Sequence, residues 1–84
     1  MQQKNNRILN KQRLMRVTEQ YVYENCMTDT QKECYKSIAF DGLTPKEASV
    51  ILNKSNKTIQ THYSRALEKV RQMQSATIVI FEML

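Results

Sequence analysis

Apolar residues recur along this chain at helical rather than strand spacing. Stepping by 3.6 residues from Ile59 gathers Ile59, Tyr63, Ala66 and Val70 on one side, with Leu67 at its edge, and that side is expected to be buried. Ala48, Ile51 and Leu52 make a shorter stripe upstream, and Cys34, Tyr35, Ile38 and Ala39 make another. Earlier still, Ile8, Leu14, Met15, Val17, Tyr21 and Val22 alternate with Lys11, Arg13, Arg16 and Glu19. Ile8, Met15 and Val22 are seven apart, as are Leu14 and Tyr21, which predicts one amphipathic helix. Two heptads are too short for a coiled coil, so the helix is read as packing within the chain, with a dimer seam as the alternative. Residues 1–6, M-Q-Q-K-N-N, read as a frayed start.

The polar residues between these stripes mark where helices begin and end. Thr44 and Glu47 form a capping box, and Pro45 falls at the first helical position, where its missing donor costs nothing. Thr28 and Gln31 form a second box. Gly42, the only glycine, follows Asp41 where that helix must stop. Asn53 is suited to a left-handed turn after Leu52, and Ser55 then caps a helix whose first turn is Asn56, Lys57 and Thr58. A helix, a tight turn and a second helix is the helix-turn-helix, whose second element enters the major groove of DNA. The expected fold is all-α: a small helical domain with a tri-helical helix-turn-helix core, an N-terminal helix and a short C-terminal helix. Its segments are 1–26, an N-terminal amphipathic helix; 27–74, the core; and 75–84, an apolar C-terminal segment.

The recognition helix, 57–71, carries its candidate chemistry opposite the buried stripe, on Lys57, Gln60, Thr61, Ser64, Arg65 and Glu68. Glutamine pairs with adenine through two bonds, hydroxyls read several base edges, and Lys and Arg serve guanine or phosphate. A helix face of no function tends to fill with Glu–Lys pairs four apart. Here amides, hydroxyls and cations occupy the early turns, and the only acid, Glu68, comes late.

Charge sharpens this picture. The 84 residues carry a net charge of +5, unevenly placed: +4 over residues 1–20, −2 over 21–44 and +4 over 45–71. Two basic ends around a slightly acidic middle fit a surface that neutralises a nucleic-acid backbone. Cys26 and Cys34 are eight apart with no C-x-x-C, and there is one histidine, so a closed zinc site has too few ligands and no cofactor is implied. Cys34 reads as a small hydrophobe and Cys26 as lying near a helix end. The N-terminus is polar rather than a signal sequence, and no stretch approaches the ~20 apolar residues of a membrane span, so a cytosolic protein is expected. Met1 and the polar start read as those of a small complete protein. His62 has no nucleophile or acid placed by sequence to work with it, which argues against an enzyme and against a small-molecule substrate.

From Gln31 to Arg71 the chain resembles the C-terminal promoter-binding domain of bacterial sigma factors of the sigma-70 family. The family pattern runs Q-x-E-V-F, G-L-S-x-x-E-I-A, S-x-x-T-V and S-R-A-x-x-K-L-R. This chain has Q-K-E-C-Y, G-L-T-P-K-E-A-S, S-N-K-T-I and S-R-A-L-E-K-V-R, with no insertion between the blocks. The core is also similar to that of LuxR/GerE-type regulators, whose S-x-x-T-V-x-x-H matches S-N-K-T-I-Q-T-H and whose fourth helix would correspond to Ser75–Leu84. That fit needs one more residue than usual in the helix before Gly42. Ser49 stands where both families usually have alanine, and Lys54 where they have an apolar residue. The resemblance implies that Asn56, Lys57, Gln60 and Thr61 touch bases or nearby phosphates, and Ser64 joins this set. It places Thr44, Lys46, Ser55 and Thr58 at helix starts that hold phosphates, and Arg65 at a position used for the backbone or for partner proteins. Lys54 and Lys69 complete the expected phosphate contacts.

Three functions remain open on the sequence. The first is a transcriptional regulator binding double-stranded DNA as a homodimer. The second is a sigma-like accessory protein that binds both RNA polymerase and promoter DNA. The third is a protein-interaction module that has lost DNA binding. A complete sigma factor is not expected, because the aromatic-rich promoter-melting helix has no counterpart here. The tail A-T-I-V-I-F-E-M-L is expected to form a short helix with Thr77, Ile80, Phe81 and Leu84 on one face, making a homodimer contact that spaces two half-sites about one DNA turn apart. The alternative is closure of this tail on the Ile8–Val22 helix.

Overall fold

A computed structural model describes residues 2–84, with side chains from Arg7 onward. Helix α1 spans Gln2–Asn25, α2 Asp29–Tyr35, α3 Pro45–Leu52 and α4 Asn56–Met83. The frayed start expected for residues 1–6 is not seen in the backbone of α1, which is helical from Gln2; Met1 lies outside the described residues.

Each helix end follows from its sequence. Thr28 caps α2 through a complete capping box with Gln31. Beyond Tyr35 the helix widens over Lys36–Phe40, where the Asp41 N–H reaches five residues back to the Lys36 carbonyl at 2.9 Å. The wider turn shifts the facing of its own residues, so Ser37 is buried whereas Ala39, expected on the core face, is exposed. Gly42 then adopts φ 73°, and the Leu43 N–H closes on the Ser37 carbonyl at 2.9 Å.

The core has two parts joined by Tyr63. In one, Val22 of α1, Met27, Tyr35 of α2, and Ala66 and Val70 of α4 are buried together. In the other, Cys34, Ala48 and Ile59 bring α2, α3 and the start of α4 into contact, with no measurable exposure for any of the three. Tyr63 packs on both, and its ring stacks on Tyr35 at 5.8 Å between centroids. Phe40 meets Tyr35 edge-on at 5.5 Å and Tyr23 at 5.1 Å. The Tyr35 hydroxyl donates to the Glu19 carboxylate. Burial first, then that bond, pushes the Tyr35 phenol above its usual range, so it stays a protonated donor.

Three expectations about facing change. In α1, the side turned inward is Val22 and Thr18 with Leu14 and Met15 half-buried, whereas Ile8, Val17 and Tyr21 are at least half exposed. A threonine can occupy the seam because its hydroxyl is already bonded to the Leu14 carbonyl at 2.7 Å. In α3, Leu52 rather than Ile51 joins Ala48 inside, leaving Ile51 65% exposed. Finally, the expected short C-terminal helix does not exist as a separate element. No glycine, proline or asparagine interrupts Arg71–Leu84, so the recognition helix continues through Met83 as one 28-residue helix.

The long C-terminal half of α4 runs antiparallel to α1. Gln74 donates to the Met15 carbonyl at 3.1 Å, and Glu82 accepts from Lys11 at 3.0 Å and Arg7 at 3.4 Å. Lys11 chiefly, then Arg7, holds the Glu82 carboxyl below the usual range. The Arg7 guanidinium also lies 4.6 Å over the Phe81 ring. Of the tail face expected at a dimer contact, Thr77 and Phe81 are therefore half-buried, as the closure alternative required, while Ile80 and Leu84 face outward. The molecule is accordingly elongated, 49 × 21 × 17 Å.

Candidate nucleic-acid interface

The site is built on the α3–turn–α4 unit. Both bonds of the Thr44 capping box form: the Glu47 N–H donates to Thr44 Oγ1 at 3.2 Å and the Thr44 N–H to Glu47 Oε1 at 2.9 Å. The donated backbone bond, more than the hydroxyl, lowers the Glu47 carboxyl from its ordinary value. The negative charge of Glu47 is thereby held at the helix start, beside Lys46, which is exposed.

Asn53 takes the left-handed conformation, φ 54° and ψ 47°. Its N–H reaches the Val50 carbonyl at 3.4 Å and the Lys54 N–H reaches the Ser49 carbonyl at 3.1 Å, the paired bonds of a Schellman turn. The Ser49 hydroxyl donates to the Lys54 carbonyl at 2.6 Å. The serine that replaces the family's alanine thus ties down the turn that sets the angle between α3 and α4. Lys54 is half-buried and lies near Cys34, where its charge partly offsets the burial that raises the thiol. Its stem therefore covers part of the core.

Ser55 caps α4 by accepting from the Thr58 N–H at 3.1 Å, and its own hydroxyl donates to Thr58 Oγ1 at 2.8 Å. From this start, Asn56, Lys57, Gln60, Ser64 and Arg65 are exposed and Thr61 is half-exposed. Lys57, Gln60, Thr61, Ser64 and Arg65 line one shallow depression, which is the side opposite Ile59, Ala66 and Val70. Gln60 Nε2 donates to Asn56 Oδ1 at 3.0 Å, so the Gln60 amide is oriented and keeps its carbonyl oxygen and one N–H free. The buried stripe expected of this helix is the observed one, which fixes the polar face outward.

Residues 25–70, more than half of the chain, match the family description "Sigma-70, region 4". The chain belongs to the sigma-70 region 4 family. No curated protein and no solved structure gives a match. As a region 4 domain the chain is a helix-turn-helix unit of the kind that binds DNA in transcription, and the match covers α2, α3 and the part of α4 that holds the recognition face. Among the described residues, no helix is long and apolar enough to cross a membrane.

Within this region 4 domain one expected phosphate contact is placed elsewhere. Lys69 Nζ donates to the Cys26 carbonyl at 2.8 Å and to Gln31 Oε1 at 2.7 Å, and the side chain is half-buried. Gln31 Oε1 also accepts from the Thr28 N–H at 3.1 Å, so the second capping box, the end of α1 and α4 meet at one ammonium. Lys69 is a clamp across the α1–α2 corner. It lies about 6 Å along α4 beyond Arg65 and about 18 Å beyond Lys57, at 1.5 Å per residue, with its ammonium turned to the α1–α2 corner. Sequence spacing could not show this, because Gln31 and Lys69 are 38 residues apart. Replacing Lys69 by alanine is expected to cost about 1–3 kcal/mol of stability by removing two part-buried hydrogen bonds from a charged donor, the Cys26 carbonyl losing this partner while Gln31 Oε1 keeps the Thr28 N–H. The same change should leave the salt dependence of DNA binding unchanged; a slope reduced by about one would return Lys69 to the phosphate contacts.

His62 is half-buried on α4, and its Nδ1 is enclosed without a protein hydrogen-bond partner.

Proposed function

We propose that this region 4 domain is a transcriptional regulator that binds double-stranded DNA sequence-specifically as a homodimer, with the first turns of α4 in the major groove. The observation that carries this reading is the exposed face of Asn56, Lys57, Gln60, Thr61, Ser64 and Arg65, free of acids and presented by a helix whose opposite side is locked into the core. Asn56, Lys57, Gln60, Thr61 and Ser64 are assigned to base edges. Thr44, Lys46, Ser55, Thr58 and Arg65 are assigned to phosphates, with Lys54 beside them at the turn. The amide groups at the starts of α3 and α4 add oriented donors to the same backbone.

The family match favours a second reading, a sigma-like accessory factor that binds RNA polymerase and promoter DNA together. Selection of bound sequences from a random duplex pool, with and without RNA polymerase, separates the readings. A motif enriched by the protein alone supports the regulator, enrichment only with polymerase supports the accessory factor, and no enrichment supports an interaction module.

Gln60→Ala and Lys57→Ala should each weaken cognate DNA by about 1–3 kcal/mol and random DNA much less, because their partners are base edges. Lys46→Ala should weaken both alike. Parallel losses on both DNAs in all three variants would make α4 a generic backbone binder.

A further inference from the structure

We propose that the outward face of the C-terminal half of α4 receives a second copy of this chain, packed antiparallel about a two-fold axis near Ile78. Met73, Ala76, Ile80 and Met83 step by three, four and three residues, the spacing of a helix–helix seam. They lie to one side of the row Val70, Gln74, Thr77 and Phe81 that is turned toward α1, and Met73, Ile80 and Met83 are 38%, 62% and 79% exposed.

The two ends of this stripe differ in shape. At its upstream end Met73 and Ala76 line a groove with Val22, Cys26, Lys69 and Gln72. At its downstream end Ile80, Met83 and Leu84 stand out as a ridge. In a two-fold interface each residue pair occurs twice, so a surface that carries both a groove and a ridge can fill itself: the ridge of each copy enters the groove of the other. Pairing residues 80–83 with residues 73–76 places the axis near Ile78.

Charge points to the same occupant. Residues 72–81 contain no ionisable side chain. Lys69 at the groove is bonded to Cys26 and Gln31, and Glu82 beside the ridge is bonded to Lys11 and Arg7. The stripe therefore offers nothing to select a charged peptide or an anionic surface, and nothing that repels its own copy. Thr61 lies 17 residues from the axis, so the two recognition faces would stand about 50 Å apart at 1.5 Å per residue, farther than one DNA turn.

The inference supplies the contact for the homodimer of the proposed function, and its test needs no DNA. Sedimentation of the full chain is expected to show a dimer that Ile80→Glu and Met83→Glu convert to a folded monomer, with unchanged helicity by circular dichroism. Mild oxidation of Met83→Cys is expected to link two chains through Cys26 of the opposite copy, and Met83→Cys combined with Cys26→Ser should abolish the link. Within one chain the bond is out of reach, because residue 83 lies about 15 Å along α4 from Met73, which shares the groove with Cys26. A monomeric wild-type chain, a dimer indifferent to both glutamates, or a link that survives Cys26→Ser overturns the proposal. A dimer that links as expected but binds no DNA leaves it standing and removes the DNA reading instead.

Discussion

Raising salt from about 50 to 200 mM is expected to weaken duplex binding by roughly 250- to 1,000-fold. The proposed recognition surface combines the cations Lys46, Lys57 and Arg65 with hydroxyls and amide donors at the starts of α3 and α4; along α4 no acid precedes Glu68, and at α3 the one acid, Glu47, is held on the Thr44 N–H. If about four to six phosphates lose their counterions, log affinity falls against log salt with a slope of roughly −4 to −5. A titration series on cognate and random duplexes measures the slope directly. Random DNA should give nearly the same slope at lower affinity, since the electrostatic contacts carry no sequence information. A slope near zero would rule out the proposed docking whatever else the protein binds.

Ile59→Ala should cost about 2–5 kcal/mol of stability, a large share of the ~5–15 kcal/mol that holds a domain folded. Ile59 has no exposed surface and fills the point where Cys34 of α2 and Ala48 of α3 meet the first turns of α4. Ile38, Leu52 and Tyr63 pack against the same cluster, and how far they close the cavity sets where in that range the loss falls. DNA binding should fall with it, because the same contact sets the angle at which α4 leaves the turn. Ile80→Ala serves as the contrast: at 62% exposure it should change the stability of the monomer by within about 0.5 kcal/mol. Urea denaturation of dilute protein compares the two. A loss below about 1 kcal/mol for Ile59→Ala would mean that this cluster does not organise the fold.

The helix starts and the recognition face were legible because both are local. Thr28 with Gln31, Thr44 with Glu47, Asn53 and Ser55 each act within one turn of backbone, and the structure forms every one of these caps and turns. The period of Ile59, Tyr63, Ala66 and Val70 likewise fixed the polar side of α4 without knowledge of what covers the apolar one. The facing of α1 and α3 was not legible. Each helix carries more apolar positions than one seam can bury, and which of them face inward depends on where the neighbouring helix lies. Val22 and Thr18 turn to the interior and Tyr21 does not, although periodicity allows either.

By itself, then, the sequence determined an all-α chain, the starts of α2, α3 and α4, a helix-turn-helix and the outward polar face of Lys57, Gln60, Thr61, Ser64 and Arg65, all properties carried by hydrogen bonds and side-chain period within a few residues. Only the tertiary structure decided that Lys69 clamps Cys26 and Gln31, that α2 widens before Gly42, and which side of the long α4 lies against α1 and which stays bare. These depend on groups 38 or more residues apart in the chain, or on helix register that nothing local fixes, and their geometry exists only once the helices have packed.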